Sequence, residues 1–222
     1  MREWLIDLLL SLPAIFIALS VRGYACARTA YKLGDPTAKN YGRMTINPIK
    51  HLDPLGLLCM IFVGFGWVRP VPINSRNLKK PRRDMALIAL SGPASNIILA
   101  FIGLLVLRIL LVVCTPILQT ADPHSFGFAA FSMLLTFLTL FSALNAGLAI
   151  FSLLPIPPLD GSRLLALILP SRIYFKYVRY ERYISFVLVL LLVFDVLDIP
   201  LFYLRSYLMM GLEWIIGLIP FL

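Results

Sequence analysis

The sequence predicts an all-α, multi-pass membrane protein folded as a single membrane domain over residues 1–222, and three observations carry that reading. The chain is 60% hydrophobic and 14% charged, with a mean hydropathy of +0.89. A water-soluble domain of this length cannot bury so much apolar surface, so the lipid bilayer is its expected solvent. The apolar residues gather in long runs, and the Lys and Arg residues gather in the segments between them, as they do on the cytoplasmic side of membrane helices. The net charge of +9 therefore belongs to loops facing a membrane, and no nucleic-acid partner is expected. Cys26, Cys59 and Cys114 are odd in number and form neither a disulfide framework nor a CxxC zinc pattern. They read as small apolar residues.

The first apolar run, about Leu5–Val21, continues as a helix to about Lys32, with Pro13 as a place for a kink. Ala25-Cys26-Ala27 has the small residues of a signal-cleavage site. The leading Arg2, Glu3 and Asp7, however, give an acidic balance that a signal peptide does not have. Residues 28–83 hold 11 of the 20 Lys and Arg against only Asp35 and Asp53, which places this connection in the cytoplasm and the N-terminus outside. Inside it, DPLGLLCMIFVGFGWVRPVPI (53–73) is apolar, short and broken by Gly and Pro. It fits a re-entrant or β-hairpin region, notably over 57–72, better than a span.

A second span covers about Met85–Val113 and a third about Phe126–Leu154, joined by an outward link that holds His124. Residues 163–182 add Arg163, Arg172, Lys176, Arg179 and Arg182 against Glu181 alone, so they too face the cytoplasm. A fourth span covers about Ile184–Ile199. A last apolar segment, 200–222, is interrupted by Pro200, Arg205 and Glu213 and either spans as a fifth or lies in the interface, so five spans are expected, with four or six as alternatives. The expected location is the cell membrane.

Most charges stand at span ends, where long side chains reach water. Asp160 does not. It lies in LLPIPPLDG, where three prolines forbid regular helix as the chain leaves the third span. Irregular backbone at membrane depth is tolerated only where protein buries it or where it lines a wet cavity. An aspartate there is a functional-site candidate, with a plain interfacial carboxylate as the competing account. Asn96, in GPASN beside the small residues Gly92 and Ser95, and Asn145, midway along the third span, suit helix packing or substrate contact.

Three stretches, in this order, resemble the site-2 protease family of intramembrane zinc metalloproteases in its compact prokaryotic branch. They are AYKLGDPTAKNYGRMTINPIKHLDPLG (30–56), RDMALIALSGPASN (83–96) and NAGLAIFSLLPIPPLDGSR (145–163). The resemblance implies a three-span core over about 5–170, with residues 171–222 forming further C-terminal spans. It also implies an HExxH motif just ahead of the AYKLGD run. Counting back from Tyr31, the two histidine positions fall on Arg22 and Cys26, and the glutamate position falls on Gly23. The family's third ligand, the aspartate of its PxPxLDG turn, falls on the retained Asp160. An asparagine common earlier in that turn falls on Ser152, and Pro157 keeps the turn's proline.

Residues i and i+4 share a helix face, so two imidazoles there hold one Zn²⁺ from consecutive turns, and the glutamate takes the proton of the metal-bound water. A guanidinium has no lone pair for a metal, and glycine has no side chain to act as base. Two places are open to Arg22: pairing with Asp160 in the metal's stead, or reaching the interface beside Arg28. His51 lies within the family-like stretch and reads as part of the framework rather than as a replacement ligand. The reading that follows is a catalytically silent relative, a pseudoprotease that needs no cofactor and binds membrane-protein segments without cutting them. A working zinc endopeptidase substituted at 22, 23 and 26 is the alternative. A small transporter lined by Arg22, Asn145 and Asp160 is a third class, unsupported by any paired repeat.

Overall fold

The computed structural model of the chain describes residues 2–53, 55–56, 69–118, 122 and 125–219. The described residues are built from helices: α1 (Arg2–Lys32), α2 (Thr37–Asn40), α3 (Pro81–Leu118), α4 (Phe126–Leu153), α5 (Asp160–Ile168), α6 (Ser171–Arg179), α7 (Glu181–Val193) and α8 (Asp198–Gly217). Single 3-10 turns stand at Pro48–Lys50 and Ser75–Asn77. The described residues contain no β-strand. Most of the expected hairpin region, residues 57–68, lies outside them, as do Cys59 and His124.

Helices long and apolar enough to cross a bilayer occur at Leu9–Lys32, Pro81–Cys114 and Phe126–Leu153. These are the three expected core spans, and α1 runs through Pro13 unbroken. Between lipid-facing helices no hydrophobic force operates, so close packing of small residues must hold them. Ala14, Ala18, Ala27 and Ala30 of α1, Ala86, Ala89 and Ala100 of α3, and Ala146 and Ala149 of α4 are all buried. α3 turns Ile98, Ile102, Val106, Ile109 and Val113 outward at helical spacing, the stripe expected to meet acyl chains.

The two expected C-terminal apolar segments appear as two helices joined by a sharp bend. α7 has 13 residues and α8 has 20, and the two are bent by 86° at a short break, so together they make at most one span. The bend follows from the sequence FDVLDIP: Asp195 takes a positive φ of 57°, a conformation that Asp tolerates better than most residues, and ends α7. Among the described residues three helices are long and apolar enough to span, or four with the bent pair, the lower of the expected counts. Leu212 and Ile216 of α8 then pack on Ala100, Leu104 and Ala146 of α3 and α4.

Candidate functional site

Two local structures bring the predicted residues together. The first ends α1. Gly34, at φ +108°, supplies the left-handed residue that closes a helix C-terminus, and the Asp35 N–H returns to the Ala30 carbonyl at 2.9 Å. The buried Asp35 carboxylate then accepts from the Thr37 N–H at 3.1 Å, the Asn74 N–H at 2.7 Å and the Asn77 side-chain amide at 2.8 Å. Burial alone would raise the Asp35 pKa. The hydrogen bonds from Thr37, Asn77 and the backbone of Asn74 outweigh it and hold the carboxyl below its ordinary value. This hub fastens the segment around residues 69–78 against α1.

The second is the turn between α4 and α5. A Cβ at Gly161 would lie 2.2 Å from the Leu153 carbonyl oxygen and 2.3 Å from that of Leu154. Only glycine permits the start of α5 to press on the end of α4. Pro157 is buried, and its peptide bond to Pro158 is cis. At the far end of α5, Arg82 from α3 donates to the Leu169 carbonyl at 2.9 Å and to Ser171 Oγ at 2.8 Å, satisfying a helix C-terminus. Asp160 is thereby fixed at the N-terminus of a short, clamped helix.

Arg22, Gly23 and Cys26 of α1 and Asp160 of α5 line one cavity of about 230 Å³. Arg22 Nη2 donates to Asp160 Oδ2 in a charge-assisted ion pair. The two side chains are only 25% and 20% exposed. Of the two places open to Arg22, the structure gives the first: the guanidinium holds the retained acid.

His51 supplies a contact that the motif reading did not assign. Its ring lies directly over Gly23, where a Cβ would be 2.4 Å from Nδ1 and 2.6 Å from Cε1. The residue is buried, and Nε2 meets the Thr45 carbonyl at 2.7 Å. A carbonyl only accepts, so Nε2 carries a proton and donates it to Thr45. The imidazole thus occupies the space into which a side chain at position 23 would grow. Arg69 and Arg163 also line the cavity, and neither was singled out by motif. The only signal for His51 was the glycine itself, an opening on an otherwise packed helix face.

The other expected residues stand apart from the cavity lining. Asn96 and Asn145 are fully buried. The Asn145 amide donates to the Phe141 carbonyl at 2.8 Å, while Asn96 has no hydrogen-bond partner among the described residues. Ser152 is buried near the end of α4.

The residues present do not fit a zinc ion. The Asp160 carboxylate is engaged by a permanent cation that repels Zn²⁺, and Cys26 and His51 do not complete a site with it. Among the described residues no three His, Cys, Asp or Glu side chains form a metal-binding group, whereas a catalytic zinc takes three protein ligands.

The family model described as Peptidase family M50 matches residues 57–194. That segment begins beyond α1. The chain is 42% identical over 166 residues to "Putative zinc metalloprotease YwhC" of Bacillus subtilis (strain 168), a match covering 73% of this chain and 70% of that one. It is 25% identical over 150 residues to "Putative zinc metalloprotease Rip2" of Mycolicibacterium smegmatis (strain ATCC 700084 / mc(2)155), covering 65% of this chain and 51% of the relative. No solved structure matches the chain. With its three apolar spans, its PIPPLDG turn and this similarity, the chain belongs to the M50 peptidases, the site-2 protease family.

Proposed function

We propose that this chain is a non-hydrolytic member of its family, which holds membrane-protein segments at the old catalytic cavity without cleaving them. One observation carries the reading: the Arg22 guanidinium sits on Asp160, the acid that the family resemblance assigns to the metal. Hydrolysis by a zinc peptidase needs a Lewis acid and a nearby carboxylate to take the water's proton. At position 23 there is hydrogen, with an imidazole behind it. A pair of fixed opposite charges supplies neither function.

Support for retained binding comes from the scaffold. The segment bearing Pro70, Val71 and Ile73 still borders the cavity, and it is anchored to α1 through Asp35. A non-helical segment of this kind offers backbone groups to an extended client. The pairing also removes the cost of a bare carboxylate near the membrane.

The test joins elemental analysis of the purified protein, a cleavage assay on membrane substrates and photo-crosslinking from residue 71 in native membranes. Absence of zinc, no cleavage and recovery of crosslinked membrane proteins is the expected result. Stoichiometric zinc that disappears in Asp160→Asn overturns the non-hydrolytic reading. Crosslinking that recovers no membrane protein overturns the client reading.

A further inference from the structure

The cavity carries more cation than its own acid neutralises. Arg22, Arg69 and Arg163 line it against one carboxylate, Asp160, which Arg22 already engages. Arg163, on the first turn of α5, has no hydrogen-bond or ion-pair partner among the described residues. Among the described residues the Arg69 guanidinium meets Asp53, at 3.9 Å and half exposed, a weak contact in solvent. The neighbouring acids are committed elsewhere. Asp35 serves Thr37, Asn74 and Asn77, Asp84 accepts the Lys80 N–H, and Asp53 accepts from the Leu55 and Gly56 N–H groups. Residues 57–68 contain no Asp or Glu in sequence, so that stretch supplies no side-chain charge to cancel the surplus.

Depth narrows the occupant. Arg22 is the first charged residue after the uncharged stretch 8–21, and Asp160 is the first after the uncharged stretch 126–159. Ile88 and Ala89, about one turn inside the Arg82–Asp84 charges, form the apolar wall. The cavity thus stands where apolar spans give way to the basic face, the level of lipid headgroups. Planar guanidinium forks match the oxygens of phosphate two at a time.

We propose that the cavity binds one phosphate group, a phosphodiester of an anionic lipid headgroup or a free phosphate, between Arg163 and Arg69, with Arg22 left on Asp160. The assignment rests on the zinc-free reading above, since a divalent cation on Asp160 would displace Arg22 from it.

The chain is assembled into nanodiscs of phosphatidylcholine with or without phosphatidylglycerol, and native mass spectrometry counts the phospholipids it retains. In parallel, the detergent-solubilised chain is titrated with inorganic phosphate by calorimetry, and zinc is measured in the same samples. One phosphatidylglycerol retained per chain identifies the lipid source, and saturable heat with inorganic phosphate alone identifies the free one. In either case Arg163→Gln lowers affinity about tenfold or more, Arg163→Lys lowers it less, and Arg179→Gln on α6 leaves it unchanged. Equal losses in Arg163→Gln and Arg179→Gln mean a general basic surface and overturn the proposal, as does saturation by neither probe. Zinc without phosphate overturns the zinc-free reading as well, whereas absence of both sinks the phosphate site alone.

Discussion

The contact between Gly23 and His51 makes a prediction whose sign depends on the background. A Cβ at position 23 would stand 2.4 Å from His51 Nδ1, while well-packed atoms sit about 3.5–4.0 Å apart. The ring must therefore retreat by roughly 1 Å. It is 3% exposed and tied to Thr45, so retreat loses a hydrogen bond, about 1 kcal/mol, and strains a packed site by about 1–3 kcal/mol. Against this, replacing a helical glycine by alanine gains about 0.5–1 kcal/mol. Gly23→Ala is expected to destabilise the protein by about 1–3 kcal/mol. In a His51→Ala background the clash is gone, and the same substitution should stabilise by up to about 1 kcal/mol. Thermal or denaturant unfolding in detergent of the four proteins closes a double-mutant cycle. A Gly23→Ala cost that is the same with and without His51 refutes the assignment. The same contact bears on Arg22→His, Gly23→Glu and Cys26→His made together: the His51 ring must shift before the glutamate fits.

Three further predictions follow from the same geometry. Asp160→Asn leaves Arg22 without its anion and is expected to cost about 1–3 kcal/mol, discounted for partial exposure. Adding Arg22→Gln should recover part of that loss in the same unfolding assay, and strict additivity would refute the pair. Gly161→Ala sets a Cβ against two backbone carbonyls that no rotamer relieves. A loss of about 3 kcal/mol, with new protease sensitivity after α4, is expected, and a neutral result would refute the close approach. The Asp35 pKa is held below its ordinary value in the folded state, so its contribution is complete above the unfolded pKa of about 3.9 and lost as pH falls through the lower folded value. The stability difference between the parent protein and Asp35→Asn should shrink with acidification below about pH 4, and a pH-independent difference would refute the linkage.

The core was legible where physics leaves a periodic or conformational trace. Long apolar runs marked α1, α3 and α4, and three prolines marked the break before Asp160. The pairing of Arg22 with Asp160 was legible as one of two options, because a cation and an anion fell on two positions that the family resemblance assigns to metal ligands. The bent pair α7 and α8 was not. Apolar composition alone cannot distinguish two spans from one broken at Asp195, since the deciding event is a single backbone φ. His51 over Gly23 was also hidden, because a contact across 28 residues of irregular chain leaves no periodicity. The arginine surplus lay deeper still: Arg69 and Arg163 look like ordinary positive-inside loop residues until the fold turns them toward one space.

The departures at 22, 23 and 26 reinforce one another. A glutamate at 23 would compete with Asp160 for the Arg22 guanidinium, so the hydrogen there keeps the pair undivided. The space it leaves admits an imidazole whose Nε2 donates to the Thr45 carbonyl. Cys26, one turn beyond Arg22, packs with it against Gly92, where a Cβ would lie 3.1 Å from Arg22 Nε and 3.2 Å from Cys26 Sγ. That close approach of α1 and α3 seats the guanidinium. Zinc chemistry depends on a divalent ion that accepts ligand electrons and sheds a proton from water. A guanidinium does neither at any physiological pH. On this reading the site has exchanged a centre that turns substrates over for fixed positive charge that can only attract. Under the proposed non-hydrolytic function, its partners are groups that arrive carrying anions or unpaired backbone acceptors.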